Sequence, residues 1–222
     1  MKHRLLWVTL LLAMLGAVPA FAQFTVIATP TSGYTSSTTV MAIPDPNFTV
    51  KSSLTDGTQT LTFSSNVDVR TAAVSGGGWA TWNSPPAVES HTPKVLFANN
   101  ATTFTITLSS PSTTFGFELE PNNGTQAFTV TYFNGGTALG SIPLTIAGTS
   151  GALLAAASTN LPITSVVITA PSAAGGFAMA QFRYGTVTQT VPTLGPPVMG
   201  GLALALLAAG ALFARRQNLD LA

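Results

Sequence analysis

Two glutamates, Glu118 and Glu120, form the densest acidic group in residues 47–185, which we call the body of the chain. They lie within the run FELEPNN that begins at Phe117. Side chains of a β-strand alternate between its faces, so residues two apart point the same way. Together with Asn122 they could supply the oxygen ligands of Ca²⁺, although the D-x-[DN]-x-[DN]-G calcium loop is absent from the sequence. They could also accept hydrogen bonds from sugar hydroxyls. A third interpretation is a solvated strand face with one glutamate paired to Arg183 on a neighbouring strand.

Two tryptophans, Trp79 and Trp82, lie in the glycine- and proline-containing stretch GGGWATWNSPP. Exposed indole rings on the rim of a β domain can stack on sugar rings. Buried, the same indoles would cap one end of an apolar core. We therefore take Trp79, Trp82, Glu118 and Glu120 as the candidate ligand face, with Ca²⁺ as the candidate ion, and both placements of the indoles stay open at this point.

Few residues of the body are suited to catalysis. It contains one histidine, His91, followed by Thr92 and Pro93 in an expected loop. The sequence has no G-x-S-x-G elbow, no H-E-x-x-H motif, no phosphate-binding loop and no cysteine. A glycosidase needs two carboxylates across a cleft, which two glutamates on one strand do not suggest. We predict a protein that is not an enzyme and that carries no cofactor.

Charge is sparse and concentrated at the two ends. Of the 222 residues, 7% are charged, and the 8 Lys and Arg nearly balance the 7 Asp and Glu. Half of the cations are Lys2, Arg4, Arg215 and Arg216. Nucleic-acid binding requires clustered cations on the folded domain, so the sequence predicts no nucleic-acid partner.

The body of the chain, residues 47–185, alternates between apolar and polar residues in many short runs. In TTFTITL, from Thr102 to Leu108, the apolar residues would face a core and the threonines water. Turn pairs such as Asp56-Gly57 separate the runs. About ten such strands predict an all-β fold, an antiparallel β-sandwich of the jelly-roll type. Residues 152–157 are prone to either helix or strand, and residues 23–46, rich in Thr, Ser and Pro, are expected to be loose.

The N-terminus has the three parts of a signal peptide. Met1–Arg4 is basic, Leu5–Val18 is apolar, and Ala20-Phe21-Ala22 forms an A-x-A cleavage site before Gln23. An uncleaved anchor helix is the alternative, but the apolar run is short for one. We predict a signal helix over residues 1–22, removed between Ala22 and Gln23 on export.

The C-terminus carries a second apolar segment. Val198–Ala214 holds no charged residue, and a helix of this length spans roughly 25 Å, enough for a short membrane crossing. Arg215 and Arg216 follow at once, and the positive-inside rule keeps them cytoplasmic. We predict a transmembrane helix over 198–214, a cytoplasmic tail over 215–222, and an ectodomain on the other side of the membrane.

The segments around this helix resemble a known class of sorting tail. Val191, Pro192, Thr193 and Leu194 lie in the spacer 186–197, and are followed by the apolar helix and the arginine pair. This order is similar to that of the IPTL-CTERM and PEP-CTERM tails of Gram-negative bacteria, with Val191 in place of Ile. The resemblance implies recognition by an exosortase-like membrane enzyme, cleavage near the motif, and transfer of the body to the cell surface or medium.

A second resemblance covers roughly residues 45–185, and looks like a β domain of secreted bacterial proteins that carry such tails. The runs that carry it are WATW from Trp79, SPP from Ser84, VLF from Val95, FGFELEPN from Phe115 and FAMAQFRY from Phe177. It implies a location more than a chemistry. We predict an exported, non-enzymatic structural or adhesive component of the envelope, extracellular matrix or biofilm. The alternative is a carbohydrate-binding extracellular module, with polysaccharide as its partner.

Overall fold

The computed structural model describes residues 23–185 of the chain. The predicted signal peptide, the motif Val191–Leu194, the predicted membrane helix and Arg215–Arg216 lie outside the described residues. The chain divides into two units, 1–187 and 188–222, and the described residues belong to the first. Within this described part, no helix is long and apolar enough to cross a bilayer.

Eleven strands make up most of the described residues. They are β1 (Phe24–Ile27), β2 (Thr39–Val40), β3 (Val50–Thr55), β4 (Thr60–Ala72), β5 (Gly78–Trp79), β6 (Lys94–Asn99), β7 (Thr103–Pro121), β8 (Thr125–Asn134), β9 (Thr137–Ala147), β10 (Leu153–Thr169) and β11 (Gly176–Gly185). Helix α1 (Ser32–Ser37) and a 3₁₀ turn (Ser172–Ala174) are the helical elements of residues 23–185. The prediction of an all-β domain is confirmed.

The strands hydrogen-bond into one sheet with the order β2-β11-β6-β4-β7-β10-β8-β9. Strand β1 pairs with β10, and both β3 and β5 pair with β4. Among the described pairings only that of β4 with β5 is parallel, so the predicted antiparallel arrangement is confirmed. Strand β11 also pairs with β7, and β4, β6, β11 and β7 thereby close a ring.

Strands β7 and β10 are long enough that they must bend. Strand β7 has 19 residues and β10 has 17. A straight strand of β7's length would extend about 60 Å, far beyond the size of a domain with a radius of gyration near 15 Å. In β10 the pairing shifts register between Ser158 and Ile163 and again before Ser165. Such irregularities bend a strand and increase its twist.

The first half of β7 has the predicted alternation. Phe104, Ile106 and Leu108 are buried, whereas Thr103 and Thr107 are exposed. The apolar side chains join one core cluster that takes residues from β3, β4 and every strand from β6 to β11. Because one cluster collects side chains from so many strands, the sheet must curve around a single core.

The second half of β7 is buried on both faces, which alternation does not predict. Phe115, Phe117 and Leu119 point into the main core. Glu118 and Glu120, from the opposite face, are also fully buried. This second face is covered by residues 79–89, which we call the covering segment, and by Tyr34 of α1.

A bulge in β11 decides which face Arg183 occupies. The pairing of β11 with β7 shifts register between Ala180 and Arg183, and Gln181 has a φ of 50°. Before the bulge Met179 lies in the main core, and after it Phe182 does. Phe182 is therefore part of the core, and Arg183 moves to the face of β7 that carries the two glutamates.

One local expectation is corrected and one open alternative is resolved. Residues 23–46 are not a loose segment: β1 pairs with β10, β2 pairs with β11, and Tyr34 and Met41 are buried. The Thr- and Ser-rich composition of this segment gave no indication that Tyr34 and Met41 are buried. Residues 153–157, which were prone to either helix or strand, belong to strand β10, where they pair with β7 along their whole length and with β1 from Ala156 onward.

Candidate functional site

The four predicted ligand-face residues lie together and form one buried group, the tryptophan–glutamate cluster of Trp79, Trp82, Glu118 and Glu120. Glu118 and Glu120 share a face of β7, as their spacing predicts. Trp79 ends β5 and Trp82 follows it in the next turn of chain. Both glutamates and Trp82 are 0% exposed and Trp79 is 7% exposed.

Glu120 holds the start of the covering segment. Its Oε2 accepts a hydrogen bond from Nε1 of Trp79 at 2.7 Å. Its Oε1 accepts bonds from the hydroxyl of Thr81 at 3.0 Å and from the backbone N–H of Gly151 at 3.3 Å. Three donors from two separate segments therefore converge on one carboxylate.

Glu118 holds the rest of the covering segment. Its Oε2 accepts from Nε1 of Trp82 at 3.0 Å, and its Oε1 accepts from the backbone N–H of Glu89 at 2.5 Å. Burial raises the pKa of Glu118 to about 7, although the hydrogen bonds from Glu89 and Trp82 act in the opposite direction. Its proton is therefore held far more tightly than that of a free glutamate.

The indoles fit against β7 because the neighbouring strand offers only small side chains. Ala178 and Ala180 of β11 contact the same apolar group as Trp79 and Trp82, together with Ala72, Val88, Val95 and Ala152. Trp79 also packs against Phe97, with ring centroids 5.2 Å apart. Each indole thus buries its ring among apolar groups and places its N–H on a carboxylate, as a buried tryptophan requires.

Of the two placements that the sequence left open for the indoles, the structure has the buried one. A sugar ring cannot stack on indoles that are almost fully enclosed. The five oxygen contacts of Glu118 and Glu120 come from N–H and O–H donors, whose positive ends would repel Ca²⁺. No cluster of three metal-ligating side chains occurs among residues 23–185. These hydrogen bonds hold residues 79–89 against the sheet.

Arg183 pairs with Glu89, and not with Glu118 or Glu120 as one interpretation of the sequence had it. Its Nε and a terminal nitrogen donate to the two carboxylate oxygens of Glu89 at 2.6 and 2.7 Å. Its other terminal nitrogen donates to the carbonyls of Thr35 and Thr38 at the end of α1, both at 3.1 Å. The hydrogen bonds from Arg183 to Glu89, more than any other influence, raise the arginine's pKa. Sequence spacing could not identify Glu89, which lies 94 residues away.

One open feature of the described surface is a groove of about 750 Å³ lined by polar and apolar side chains, which the sequence did not predict. It lies where β2, the end of β11, the β3–β4 turn and the middle of β7 meet. Its lining residues are Thr39, Val40, Ala42, Asp56, Thr58, Gln59, Ser110, Pro111, Ser112 and Tyr184. We call this feature the Asp56–Tyr184 groove. Its only sequence signal was Asp56-Gly57, which indicates a turn and says nothing of a site.

Asp56 is held rigidly at one wall of this groove. Its Oδ1 accepts hydrogen bonds from the backbone N–H groups of Thr58 and Gln59 at 2.9 and 2.8 Å. Its Oδ2 accepts from the hydroxyl of Tyr184 at 2.8 Å. Partial burial acts to raise the pKa of Asp56, but the bonds from Gln59, Thr58 and Tyr184 outweigh it and lower the pKa. The group is therefore a carboxylate at neutral pH.

Gln59 forms the floor of the groove and is 1% exposed. Its Nε2 donates to the carbonyl of Ser110 at 2.7 Å, and its Oε1 accepts from the hydroxyl of Ser109 and the N–H of Ser110 at 2.7 and 2.9 Å. One buried amide thus ties the β3–β4 turn to β7. The walls of the groove are consequently fixed before any ligand arrives.

A second exposed feature is an apolar patch beside β4. Phe48 is 58% exposed and Val50 is 59% exposed, although large apolar side chains are usually covered. The guanidinium of Arg70 lies over the Phe48 ring, 4.6 Å from its centroid, and Arg70 also pairs with Asp68. We call Phe48, Val50 and Arg70 the Phe48 patch.

The one histidine of the body, His91, is exposed. Its Nδ1 lies 3.1 Å from the carbonyl of Asn83 and 3.3 Å from the hydroxyl of Ser84. Neither neighbour is a carboxylate that would orient the ring for general-base chemistry. His91 therefore contacts residues of the covering segment, and neither of these two neighbours is acidic.

No family model matches the chain, and no curated protein sequence matches it. Among solved structures, two point mutants of the family 29 carbohydrate-binding module CBM29-2 are each 12% identical to it, with a TM-score of 0.28. They cover 78% and 77% of this chain and 99% of their own. The module CBM6cm-2 from Cellvibrio mixtus lichenase 5A, in complex with cellotriose, is 15% identical. It covers 64% of this chain and 99% of its own, with a TM-score of 0.28. A TM-score of this size does not establish a shared fold.

Proposed function

We propose that this chain is exported and that its β domain acts outside the inner membrane as a non-enzymatic protein that binds polysaccharide. Support for export comes from the order of the segments: a basic and apolar N-terminus with an A-x-A site, a β domain, a VPTL motif, an apolar helix and an arginine pair. In this proposal an exosortase-like enzyme recognises the tail and delivers the body to the surface or the medium.

The observation that carries the binding proposal is the Asp56–Tyr184 groove. Its walls combine a carboxylate, a phenol and the hydroxyls of Thr39, Thr58 and Ser110, in an opening whose floor is already satisfied by internal hydrogen bonds. Small polar groups on a fixed surface are suited to ligands that carry many hydroxyls.

A binding role rather than a catalytic one is supported by how the acidic residues are used. Glu118 and Glu120 both accept hydrogen bonds from the segment that covers them, and both are fully buried. A glycosidase requires its acid and its base to reach a substrate from two sides. Here the two carboxylates stand on one strand and hold the protein together.

A second candidate is a structural or adhesive role through contacts with other proteins. The Phe48 patch favours it, because an exposed phenylalanine beside an arginine is typical of residues that anchor protein interfaces. Under this alternative the domain would still be delivered to the surface by its tail.

We also infer that the fold is a jelly-roll-like sandwich. The bent strands β7 and β10 each pair with different partners along their two halves, which would let them pass from one layer to the other. A crystal structure of the domain would test this inference. Strands β7 and β10 that each stay within one layer along their whole length would contradict it.

Two measurements test the proposed function. The first is intact-mass spectrometry of the protein from membrane and medium fractions of its native host. A mass that begins at Gln23 and ends near Val191–Leu194 supports processing at both ends, whereas a full-length C-terminus in the inner membrane would make it a tail-anchored ectodomain.

The second measurement is retention of the full chain on insoluble neutral polysaccharides, with release of reducing ends followed in the same tubes. We expect binding without turnover. Turnover that is lost in Glu118→Gln would replace the proposal with an enzyme, and retention on none of the polysaccharides would leave the protein-contact alternative.

A further inference from the structure

We propose that the Asp56–Tyr184 groove is the saccharide site, and that it selects neutral polysaccharides by accepting hydrogen bonds from two adjacent ring hydroxyls. This inference rests on the proposed function and adds to it a location, a recognition pair and a charge preference.

The first step of the argument is the capacity of Asp56. A carboxylate offers about four lone-pair positions. Thr58 and Gln59 take the positions on Oδ1, and Tyr184 takes one on Oδ2. Oδ2 can therefore accept a further donor from the groove side, and a bond to a charged acceptor is stronger than one to a neutral acceptor.

The second step is the phenol of Tyr184. It donates its proton to Asp56 Oδ2 at 2.8 Å, and its own oxygen is an acceptor toward which the Thr58 side chain also donates. Burial and the neighbouring Asp56 raise the pKa of the phenol and outweigh the hydrogen bond from Thr58, which lowers it, so the phenol stays protonated. Two acceptor atoms thus stand side by side at a spacing close to that of adjacent hydroxyls on a pyranose ring. The half-buried ring of Tyr184 also offers an apolar surface for the carbon face of a sugar.

The third step is preorganisation. Asp56 is fixed by its own turn, Tyr184 lies on β11 opposite Thr39 and Phe115, and Gln59 locks the turn to β7. Groups that are already held in place lose little conformational freedom on binding. The positions of Asp56 and Tyr184 are therefore set by the fold before a ligand binds.

The fourth step is charge. Asp56 is the one group among the lining residues that is charged at neutral pH. A uronate or sulfate placed in the groove would meet the like charge of Asp56. A neutral polymer meets no such penalty, so the groove should distinguish neutral from anionic chains of the same backbone.

The test uses the full chain, purified in detergent, and a panel of soluble neutral glucan, mannan, galactan and xylan. The polymer that binds is then carboxymethylated, which adds negative charge without changing its backbone. We expect Asp56→Asn and Tyr184→Phe each to weaken binding of the neutral polymer by about tenfold, because each removes or changes one acceptor. The carboxymethylated polymer should bind the parent protein weakly and gain affinity in Asp56→Asn.

Asp68→Asn and Phe48→Ala are the matched controls. Asp68 is an aspartate with an arginine partner outside the groove, and Phe48 is the exposed aromatic of the other patch. Thermal unfolding of all four variants checks that each is folded.

The outcomes separate the two proposals. If a neutral polymer binds and only the groove variants weaken it, the site is supported. If a polymer binds but only Phe48→Ala weakens it, or the carboxymethylated form binds better than the neutral one, the groove assignment is overturned while polysaccharide binding stands. If none of the four polymers binds the parent protein, the proposed function itself is overturned.

Discussion

The indole Nε1 of Trp82 donates to Oε2 of Glu118 at 3.0 Å, and both side chains are fully buried. The bond joins a loop residue to the second half of strand β7, 36 positions away in the sequence. The same glutamate accepts the backbone N–H of Glu89, and Glu89 in turn holds Arg183. A continuous set of polar contacts therefore runs from the loop after β5, across β7, to β11 and α1.

Trp82→Phe should lower the free energy of unfolding by about 2–3 kcal/mol, because it removes the donor to a buried carboxylate and leaves a small void. Urea denaturation measures the change. Glu118→Gln and the double variant complete a thermodynamic cycle, in which a coupling energy of about 1 kcal/mol or more is expected for residues in contact. Additive effects would show that the bond contributes nothing of its own.

Glu118 should also make folding stability depend on pH. Its pKa is raised from 4.5 to about 7 in the folded protein, chiefly by burial. The folded state therefore binds the proton more tightly than the unfolded state does. Its contribution to stability is complete below pH 4.5 and is lost as pH rises toward 7, a change of up to about 3 kcal/mol.

The measurement is urea denaturation at several pH values between 5 and 7. Asp45 and Asp56, whose pKa values are lowered by hydrogen bonds from Lys51 and from the Asp56 turn, add their own dependence only at lower pH. We expect the parent protein to lose stability across this range and Glu118→Gln to show a flatter profile. An equal slope in both proteins would assign the dependence to another group.

Alternation located the strands wherever one face meets water. Thr102–Leu108 is such a case, because its threonines are solvated and its apolar residues enter the core. It failed at Phe115–Pro121, since the cover over the second face comes from Tyr34 and from residues 79–89, which are distant in sequence. The spacing of Glu118 and Glu120 correctly placed them on one face, but spacing carries no information about what covers that face.

One interpretation of the sequence placed Arg183 beside the glutamates of β7, which is the face it occupies, but the alternation of β11 alone could not have supported that placement. A strict period of two places it with Met179, toward the main core, where a guanidinium would have no partner. The bulge at Gln181 reverses this direction, and a glutamine with a φ of 50° has no sequence signature, unlike a glycine. The Asp56–Tyr184 groove was missed because its two residues, 128 positions apart, meet only in the folded chain.

Arg183→Lys should destabilise the domain by about 2–4 kcal/mol, although it keeps the positive charge. An ammonium group cannot bond both oxygens of Glu89 and also reach the carbonyls of Thr35 and Thr38, as the guanidinium does. The matched control is Arg70→Lys, whose pair with Asp68 is more exposed and should cost less than about 1 kcal/mol. Equal losses in the two variants would mean that the planar fork of Arg183 has no special role.

Gly116→Ala tests how tightly α1 and β10 close over the second face of β7. A Cβ at this position would lie 2.3 Å from the Cβ of Ala156 and 2.6 Å from the hydroxyl of Tyr34, both well inside van der Waals contact. We expect a loss of about 1–3 kcal/mol in the free energy of unfolding. Gly136→Ala is the control, because nothing lies within 4 Å of its added Cβ, and it should be neutral or stabilising by up to about 1 kcal/mol. Since Ala156 pairs directly with Gly116, adding Ala156→Gly should restore part of the loss. A Gly116→Ala protein as stable as its parent would show that α1 does not pack on β7 as closely as these distances require.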